Sequence, residues 1–174
     1  MYKKIIISVF VICSIFVADA QTFKKDDLLI DLGAGFGESW FTQIKAKPMF
    51  NISIENGILN MSNFASLGIG VYGSHYNAYY EKDEYLTSVI AVKAVLHFTI
   101  FNSRKFDFYA GSLDGIIFNQ SHYYIGNILF SDDTIMPYTN ILIGSRWMLK
   151  DNFGVFAELH SFYPLITGGV TIKL

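Results

Sequence analysis

The chain contains eight segments in which large apolar residues alternate, position by position, with small or polar ones. The segments lie at about residues 28–40, 48–56, 64–74, 86–100, 105–115, 138–149, 153–161 and 164–174. Alternation with a period of two indicates a β-strand whose two faces meet different surroundings. Each segment is about nine residues or longer. Strands of soluble proteins usually have about 5–6 residues, whereas a tilted strand needs about 9–11 to cross a bilayer.

The chemistry of the two faces indicates which surroundings those are. In the segment at about 138–149, Ile141, Ile143 and Trp147 alternate with Asn140, Gly144 and Arg146. Aromatic residues make up 17% of the chain and the mean hydropathy is +0.34. An apolar outer face rich in aromatic residues suits a barrel in lipid, and single-chain bacterial barrels have an even number of strands from eight upward. The sequence therefore predicts an all-β fold, an eight-stranded antiparallel up-and-down transmembrane β-barrel, located in the cell outer membrane.

The first twenty residues have the layout of an export signal. Lys3 and Lys4 precede an apolar run at 5–17, and Ala18-Asp19-Ala20 offers small residues before a cleavage point. This layout predicts a cleaved signal peptide over 1–20 and an outer-membrane barrel domain over 21–174. Cys13 is the only cysteine, so the barrel domain has neither a disulfide nor a thiolate metal site.

The links between the segments are predicted to alternate in length. With both termini periplasmic, the periplasmic turns fall at about 57–63, 102–104 and 150–152. The long links fall at 75–85 and 116–137. Short periplasmic turns and long outer loops are typical of outer-membrane barrels. We expect any extracellular ligand, whose identity is unknown from the sequence, to bind through these two long loops.

Charged residues on the inward face form the main candidate site. An eight-stranded barrel is just filled by side chains, and a buried charge is costly unless it is paired. We therefore expect a structural ion-pair core in the lumen, which Lys173 and His97 can join; a proton or ion pathway is the alternative. Arg146 is expected to pair with Glu158 on the neighbouring strand, with Glu55 across the lumen as a second possible partner. The residues of this predicted core are Asp31, Glu55, Lys93, Arg146 and Glu158.

Two stretches resemble a known family. Residues 143–159 combine a Gly-x-Arg-aromatic strand, a short Asp/Asn turn and a strand with an inward Glu, and residues 167–174 resemble a terminal assembly signal. Both are similar to the small eight-stranded outer-membrane β-barrel proteins of the OmpA and OmpX kind, in their barrel-only form without a periplasmic domain. The resemblance implies contact with outer-membrane lipid and with the barrel assembly machinery. The residues it assigns to the assembly signal are Thr167, Gly169, Ile172 and Leu174.

We expect a monomeric, non-enzymatic protein that is structural or displays loops for binding. One alternative is a lipid-modifying enzyme of the lipid A deacylase kind, suggested by His160-Ser161, but adjacent strand residues face opposite ways. Another is a soluble lipocalin-like carrier, which requires an apolar interior. The four histidines lack metal-ligand spacing, so no catalytic residue, metal site or cofactor is predicted. Residues 21–174 carry 11 basic and 14 acidic residues, a balance that argues against nucleic acid as a partner.

Overall fold

A computed structural model describes residues 22–36, 45–46, 48–62, 65–80, 83–98, 105–125, 128–162 and 164–174. The predicted signal peptide lies outside these residues. The nine strands are β1 (Leu28–Phe36), β2 (Lys45–Ala46), β3 (Met49–Ser62), β4 (Ala65–Tyr80), β5 (Asp83–Phe98), β6 (Phe106–Ile125), β7 (Ile128–Lys150), β8 (Phe153–His160) and β9 (Ile166–Lys173). Within the described ranges, no helix is long and apolar enough to cross a membrane.

Eight of the strands close into a ring. All pairings are antiparallel, the sheet runs in the order β4, β3, β1, β9, β8, β7, β6, β5, and a further pairing of β5 with β4 closes it. The first and last long strands meet directly, with Leu29 opposite Lys173 and Phe36 opposite Ile166. The remaining strand, β2, adds two residues against the outer end of β4. The predicted eight-stranded up-and-down barrel is confirmed.

The alternation of the sequence becomes an alternation of faces. On β7, Ile141 and Ile143 are 61% and 62% exposed, whereas Leu142 between them is 1% exposed. Large apolar side chains cover the outside on every long strand, so this belt requires a lipid environment. Aromatic side chains mark the periplasmic rim, where the rings of Phe106 and Trp147 stack with centroids 5.6 Å apart.

Two of the predicted loops are wrong, because the strands continue through them. Residues 75–85 belong mostly to β4 and β5, and residues 116–137 mostly to β6 and β7. These segments are rich in aromatic and β-branched residues, which favour strands, and they pair in register from Ile116↔Pro137 to Ile125↔Ile128. Their inner ends, at Tyr76 and Ile117, still pack against the lumen core, but farther out exposed residues lie on both faces and the alternation is weak.

The periplasmic turns are placed with mixed success. The turn at 150–152 is confirmed, since β7 ends at Lys150 and β8 begins at Phe153. The turn predicted at 57–63 is wrong, because β3 continues to Ser62 through two register shifts. The turn predicted at 102–104 lies outside the described residues.

The outer parts of β4 to β7 form a four-stranded sheet that extends beyond the barrel. The last pair between β3 and β4 is Phe50↔His75, and the last between β7 and β8 is Leu142↔His160. Beyond these pairs, and within the residues that the structure describes, only β4 to β7 continue, apart from the short β2. We call this part the projecting sheet, defined as residues 76–80, 83–87, 115–125 and 128–140.

At the opposite, periplasmic end, residues 22–27 fold under the lumen. The Thr22 hydroxyl donates to the carbonyl of Phe106 at 2.9 Å, and the Ser66 hydroxyl donates to the carbonyl of Phe23 at 2.9 Å. Lys173 bonds the carbonyl of Thr22 at 2.8 Å and pairs with Asp27 at 2.7 Å. This N-terminal segment thereby contacts β4, β6 and β9 at once and seals the lower end of the lumen.

Candidate functional site

The structure places all five predicted core residues inside the lumen, and their side chains are almost fully buried. They come from five different strands, β1, β3, β5, β7 and β8. Their relative exposures are Asp31 2%, Glu55 0%, Lys93 1%, Arg146 1% and Glu158 4%. An eight-stranded barrel brings these strands within reach of one another because its interior is only one layer of side chains across.

Lys93 is the centre of the network. Its ammonium nitrogen lies 3.1 Å from a carboxylate oxygen of Glu158, 3.4 Å from one of Asp31 and 3.4 Å from one of Glu55. One cation therefore compensates three carboxylates from three other strands. Such a cluster is stabilised only as a whole, since each charge has left water and depends on its partners.

Arg146 pairs with Asp107 and Asp31 and with neither of the acids that the sequence suggested. Its guanidinium donates to Asp107 at 2.6 Å and to Asp31 at 3.0 Å, and the predicted pair with Glu158 is wrong. The register of β7 and β8 sets Arg146 opposite Phe156 and sets Glu158 opposite Gly144. Asp107 lies directly opposite Arg146 on the neighbouring strand β6, whereas Asp31 on β1 lies farther round the ring and is reached across the lumen.

Two residues that the predicted core omitted complete the network. Asp107 accepts from Arg146 and bonds the Nδ1 atom of His97 at 2.8 Å, while Nε2 of His97 bonds Glu55. Tyr109 donates its hydroxyl to Glu158 at 3.0 Å and lies with its ring 4.8 Å from the guanidinium carbon of Arg146. The alternation already set both residues on the inward face, but only the closed ring shows which strands meet across it.

Two glycines, Gly144 and Gly68, make room for this packing because they carry no side chain. A Cβ atom at Gly144 would lie 2.4 Å from the ring of Tyr109, and one at Gly68 would lie 2.3 Å from a carboxylate oxygen of Glu55. Below the network, the Phe23 ring packs at 4.0 Å between centroids against His97. The lower lumen is thus filled with paired charges and aromatic rings, an interior suited to rigidity.

His160 and Ser161, the residues of the enzymatic alternative, have different surroundings and different partners. His160 is buried in the lumen, where its Nε2 atom lies 3.3 Å from Glu158. Ser161 is exposed, and its hydroxyl bonds the side-chain oxygen of Asn140 at 3.0 Å. The serine hydroxyl thus bonds Asn140 and the backbone N–H of Ile141, whereas an activated nucleophile bonds the imidazole of its base. The described residues also contain no group of three or more side chains able to hold a metal ion.

The residues of the predicted assembly signal all lie on or directly after β9. Thr167 faces the lumen and is fully buried, whereas Leu174 is exposed at the periplasmic rim. Gly169 packs closely against β1, since a Cβ atom there would lie 2.1 Å from the carbonyl oxygen of Leu32. Ile172 pairs with Ile30 on β1 and with Phe153 on β8. The signal residues are therefore part of the seam that closes the ring.

The projecting sheet differs from the barrel because it exposes apolar side chains on both faces. On one face Ile135 lies opposite Phe118, and on the other Met136 lies opposite Ile117. Ile135 is 65% exposed and Met136 is 44% exposed. Exposed apolar residues on both sides of a sheet outside the membrane are characteristic of an interaction surface.

The two edges of the projecting sheet are unlike. On the β4 edge, Tyr79 and Ala78 pair with β2 through Lys45 and Ala46. On the β7 edge, the outermost contact is made by Asn140, whose side-chain oxygen accepts from the backbone N–H groups of Ser161 and Phe162. Above it, none of the described strands pairs with the outer edge of β7. We call residues 128–140 of β7 the open edge.

Comparison with known proteins supports the fold. No protein-family model matches the chain, and no curated protein matches it at a significant level. Among solved structures, the N-terminal β-barrel domain of OprF from Pseudomonas aeruginosa has a TM-score of 0.55 at 14% identity, covering 87% of this chain and 100% of that one. Ail, the attachment invasion locus protein of Yersinia pestis, has a TM-score of 0.51 at 12% identity, covering 87% of this chain and 96% of that one. At such low identity the likeness shows a shared fold.

Proposed function

We propose, for a chain that has the fold of the small eight-stranded outer-membrane β-barrel proteins, that the barrel is a non-enzymatic membrane anchor for an extracellular binding surface. The projecting sheet is that surface, and its partner is a polypeptide outside the cell. The lumen network is the structural core that holds the anchor rigid. We expect the anchor to be a monomer that the assembly machinery inserts through the seam around β9.

The observation that carries this proposal is the projecting sheet. A barrel that served only to occupy the membrane needs no strands beyond the lipid belt. Here β6 and β7 pair through ten further residue pairs beyond Gly115↔Tyr138, and apolar side chains line both faces. Sheets of this kind bind other polypeptides through their backbone edges and exposed side chains.

The arrangement of the lumen argues against the two alternatives. A lipocalin-like carrier needs an apolar cavity, whereas this lumen is filled by the Lys93 and Arg146 networks. A hydrolase needs a nucleophile bonded to a base, whereas the Ser161 hydroxyl bonds Asn140 and the His160 imidazole lies beside Glu158. Because lipid covers the apolar belt of the barrel, the projecting sheet is the part that a soluble partner can reach.

The test compares the wild-type barrel with a variant in which residues 118–135 are replaced by an Asn-Gly turn. Both proteins, held in lipid nanodiscs, are panned against a phage library of random twelve-residue peptides. We expect both to keep the heat-dependent gel mobility of a folded barrel, and peptides to enrich on the wild type only. Equal enrichment on both proteins, or none on either, would contradict the proposal.

A further inference from the structure

The open edge has the properties of a strand-addition site. Residues 128–140 of β7 pair with β6 on one side, and none of the described strands pairs with them on the other. Half of their backbone N–H and C=O groups therefore point away from the sheet. Such an edge is a template on which another extended chain adds as a further strand.

Proline limits the length of the template. Pro137 has no N–H to donate, so a continuous ladder of hydrogen bonds fits the nine residues 128–136. Charged side chains and proline commonly protect edge strands, and the described part of this edge carries Asp132, Asp133 and Pro137 but no lysine, bulge or covering strand. By contrast, the opposite edge is covered by β2. The two edges of the projecting sheet therefore differ, and the β7 edge is the one to which a further strand can add.

The chemistry along the open edge has three zones. Ile128, Leu129 and Phe130 form an apolar zone at the tip, and Ile135 and Met136 form another near the barrel. Asp132 and Asp133 lie between the two zones, one on each face of the sheet. A partner strand must match apolar, charged and apolar zones in that order.

The two carboxylates in the middle zone lack a local counter-charge. Asp132 lies opposite Ser121 and Asp133 lies opposite Gln120 on β6. Residues 115–140 contain no Lys or Arg, and no ion pair to either aspartate occurs within the described part of the chain. Cross-strand pairs of opposite charge stabilise a sheet, and like charges directly opposite destabilise it.

We propose that the open edge binds an extended segment of a partner protein as an antiparallel strand, with cationic residues opposite Asp132 and Asp133 and apolar residues at both ends. This inference rests on the proposed function and names the kind of partner. Antiparallel addition continues the pattern of every other pair in the sheet. A second copy of this chain is a poorer occupant, because self-pairing brings two acidic centres together.

The experiment uses the full barrel in nanodiscs and three synthetic nine-residue peptides. The first has Val and Ile at both ends and two lysines at its centre. The second has two glutamates at the centre. The third repeats the first with N-methyl groups on alternate residues, which removes the backbone donors on one edge. We expect the lysine peptide to bind about tenfold more tightly than the glutamate peptide, as two exposed charge pairs allow, and the methylated peptide to bind at least tenfold more weakly.

Two further measurements locate the site. The double variant Asp132→Asn/Asp133→Asn changes only exposed side chains, so it should fold normally and lose most of the preference for lysine over glutamate. Hydrogen exchange of the backbone amides in residues 128–136 should slow when the lysine peptide binds. An Asp151→Asn variant, changed in a periplasmic turn, should bind like wild type.

The outcomes separate this inference from the proposed function. Binding of the lysine peptide without slower exchange on β7 would mean docking on a face of the sheet, and would overturn the strand-addition inference alone. Equal binding of the lysine and glutamate peptides would overturn the charge assignment. Concentration-dependent dimers that protect the open edge would identify a second copy as its occupant. Failure of every library peptide to distinguish wild type from the shortened variant would overturn the function itself.

Discussion

The same two strands, β6 and β7, pass through two very different regions of the molecule. In the barrel, Leu113 and Leu142 point inward and are 0% and 1% exposed. Six residues farther along β7, on the same face as Leu142, Met136 is 44% exposed although its backbone pairing is unchanged. The comparison shows that the alternation of a strand reflects its surroundings and not the strand itself. A closed ring between lipid and a dry lumen enforces it, whereas a sheet in water does not.

The two regions also divide stability and recognition between them. Buried side chains and coupled ion pairs lie almost entirely in the barrel, while exposed apolar side chains and unpaired backbone lie in the projecting sheet. Substitutions in the barrel should therefore change its free energy of unfolding, and those in the sheet should change binding. Four substitutions test this division, beginning with the one expected to cost most.

Arg146→Leu should destabilise the barrel by about 3–5 kcal/mol, because it leaves Asp31 and Asp107 buried without their cation. Urea unfolding in detergent micelles measures the loss. Lys150→Leu, at an exposed periplasmic position, is the matched control. A wild-type midpoint for Arg146→Leu would show that the guanidinium does not lie in the lumen.

The same experiment distinguishes the partners of Arg146. Adding Asp107→Asn to Arg146→Leu should recover part of the loss, since Asp107 no longer needs that cation. Adding Glu158→Gln should recover less, because Glu158 pairs with Lys93. Equal recovery from both second substitutions would contradict the assigned pairs.

Phe23→Ala should cost about 3 kcal/mol, because the ring fills the periplasmic end of the lumen and packs on His97. The expected loss is seen as a lower urea midpoint. Lys24→Ala is the control, since that side chain is exposed and should change stability by less than about 0.5 kcal/mol. If the two variants unfold alike, the N-terminal segment does not seal the barrel.

Gly144→Ala should cost about 1–3 kcal/mol, because its methyl group would meet the ring of Tyr109 at 2.4 Å. The hydrogen bond from Tyr109 to Glu158 opposes any movement of the ring. Gly73→Ala provides the matched control, as the nearest atom to its Cβ lies at 3.8 Å. Equal stability of both variants would mean that the lumen is looser than the structure shows.

Ile135→Ser should have the smallest effect, a change of less than about 0.5 kcal/mol in stability. Its side chain is 65% exposed, so little apolar burial is lost. The same variant should weaken binding of the lysine peptide to the open edge, as measured by titration in nanodiscs. A large drop in the unfolding midpoint would place Ile135 in a core and erase the division between the two regions.

The sequence predicted the faces of the strands well and their lengths poorly. Asp31 and Arg146 were assigned inward because lipid and lumen impose opposite chemistry on adjacent positions. The strand at 105–115 seemed irregular at Leu113 and Asp114, yet both follow the alternation: Leu113 faces the lumen, and Asp114 faces outward, bonded to Ser112 and Thr139. At 116–137 the alternation is weak, so the sequence predicts a loop where the structure has the outer parts of β6 and β7.

The pairs inside the lumen could not be predicted from the sequence. Local spacing favoured Arg146 with Glu158, since their strands are neighbours in the chain. Asp107 lies directly opposite Arg146 on β6, the other chain neighbour of β7, and this match depends on the register of those two strands. Asp31 lies on β1, and its proximity depends on the stagger with which the ring closes. That stagger is a property of the whole barrel, and no single segment contains it.

The contacts of the N-terminal segment imply an order of steps in the assembly of the barrel. Thr22 and Asp27 find their partner Lys173 only when the last strand has been synthesised and has reached β1. Contacts between the two ends of a chain have the greatest sequence separation, and they form slowly. The segment is therefore a latch that fastens after closure, and a finished barrel must release it before the seam between β1 and β9 can open.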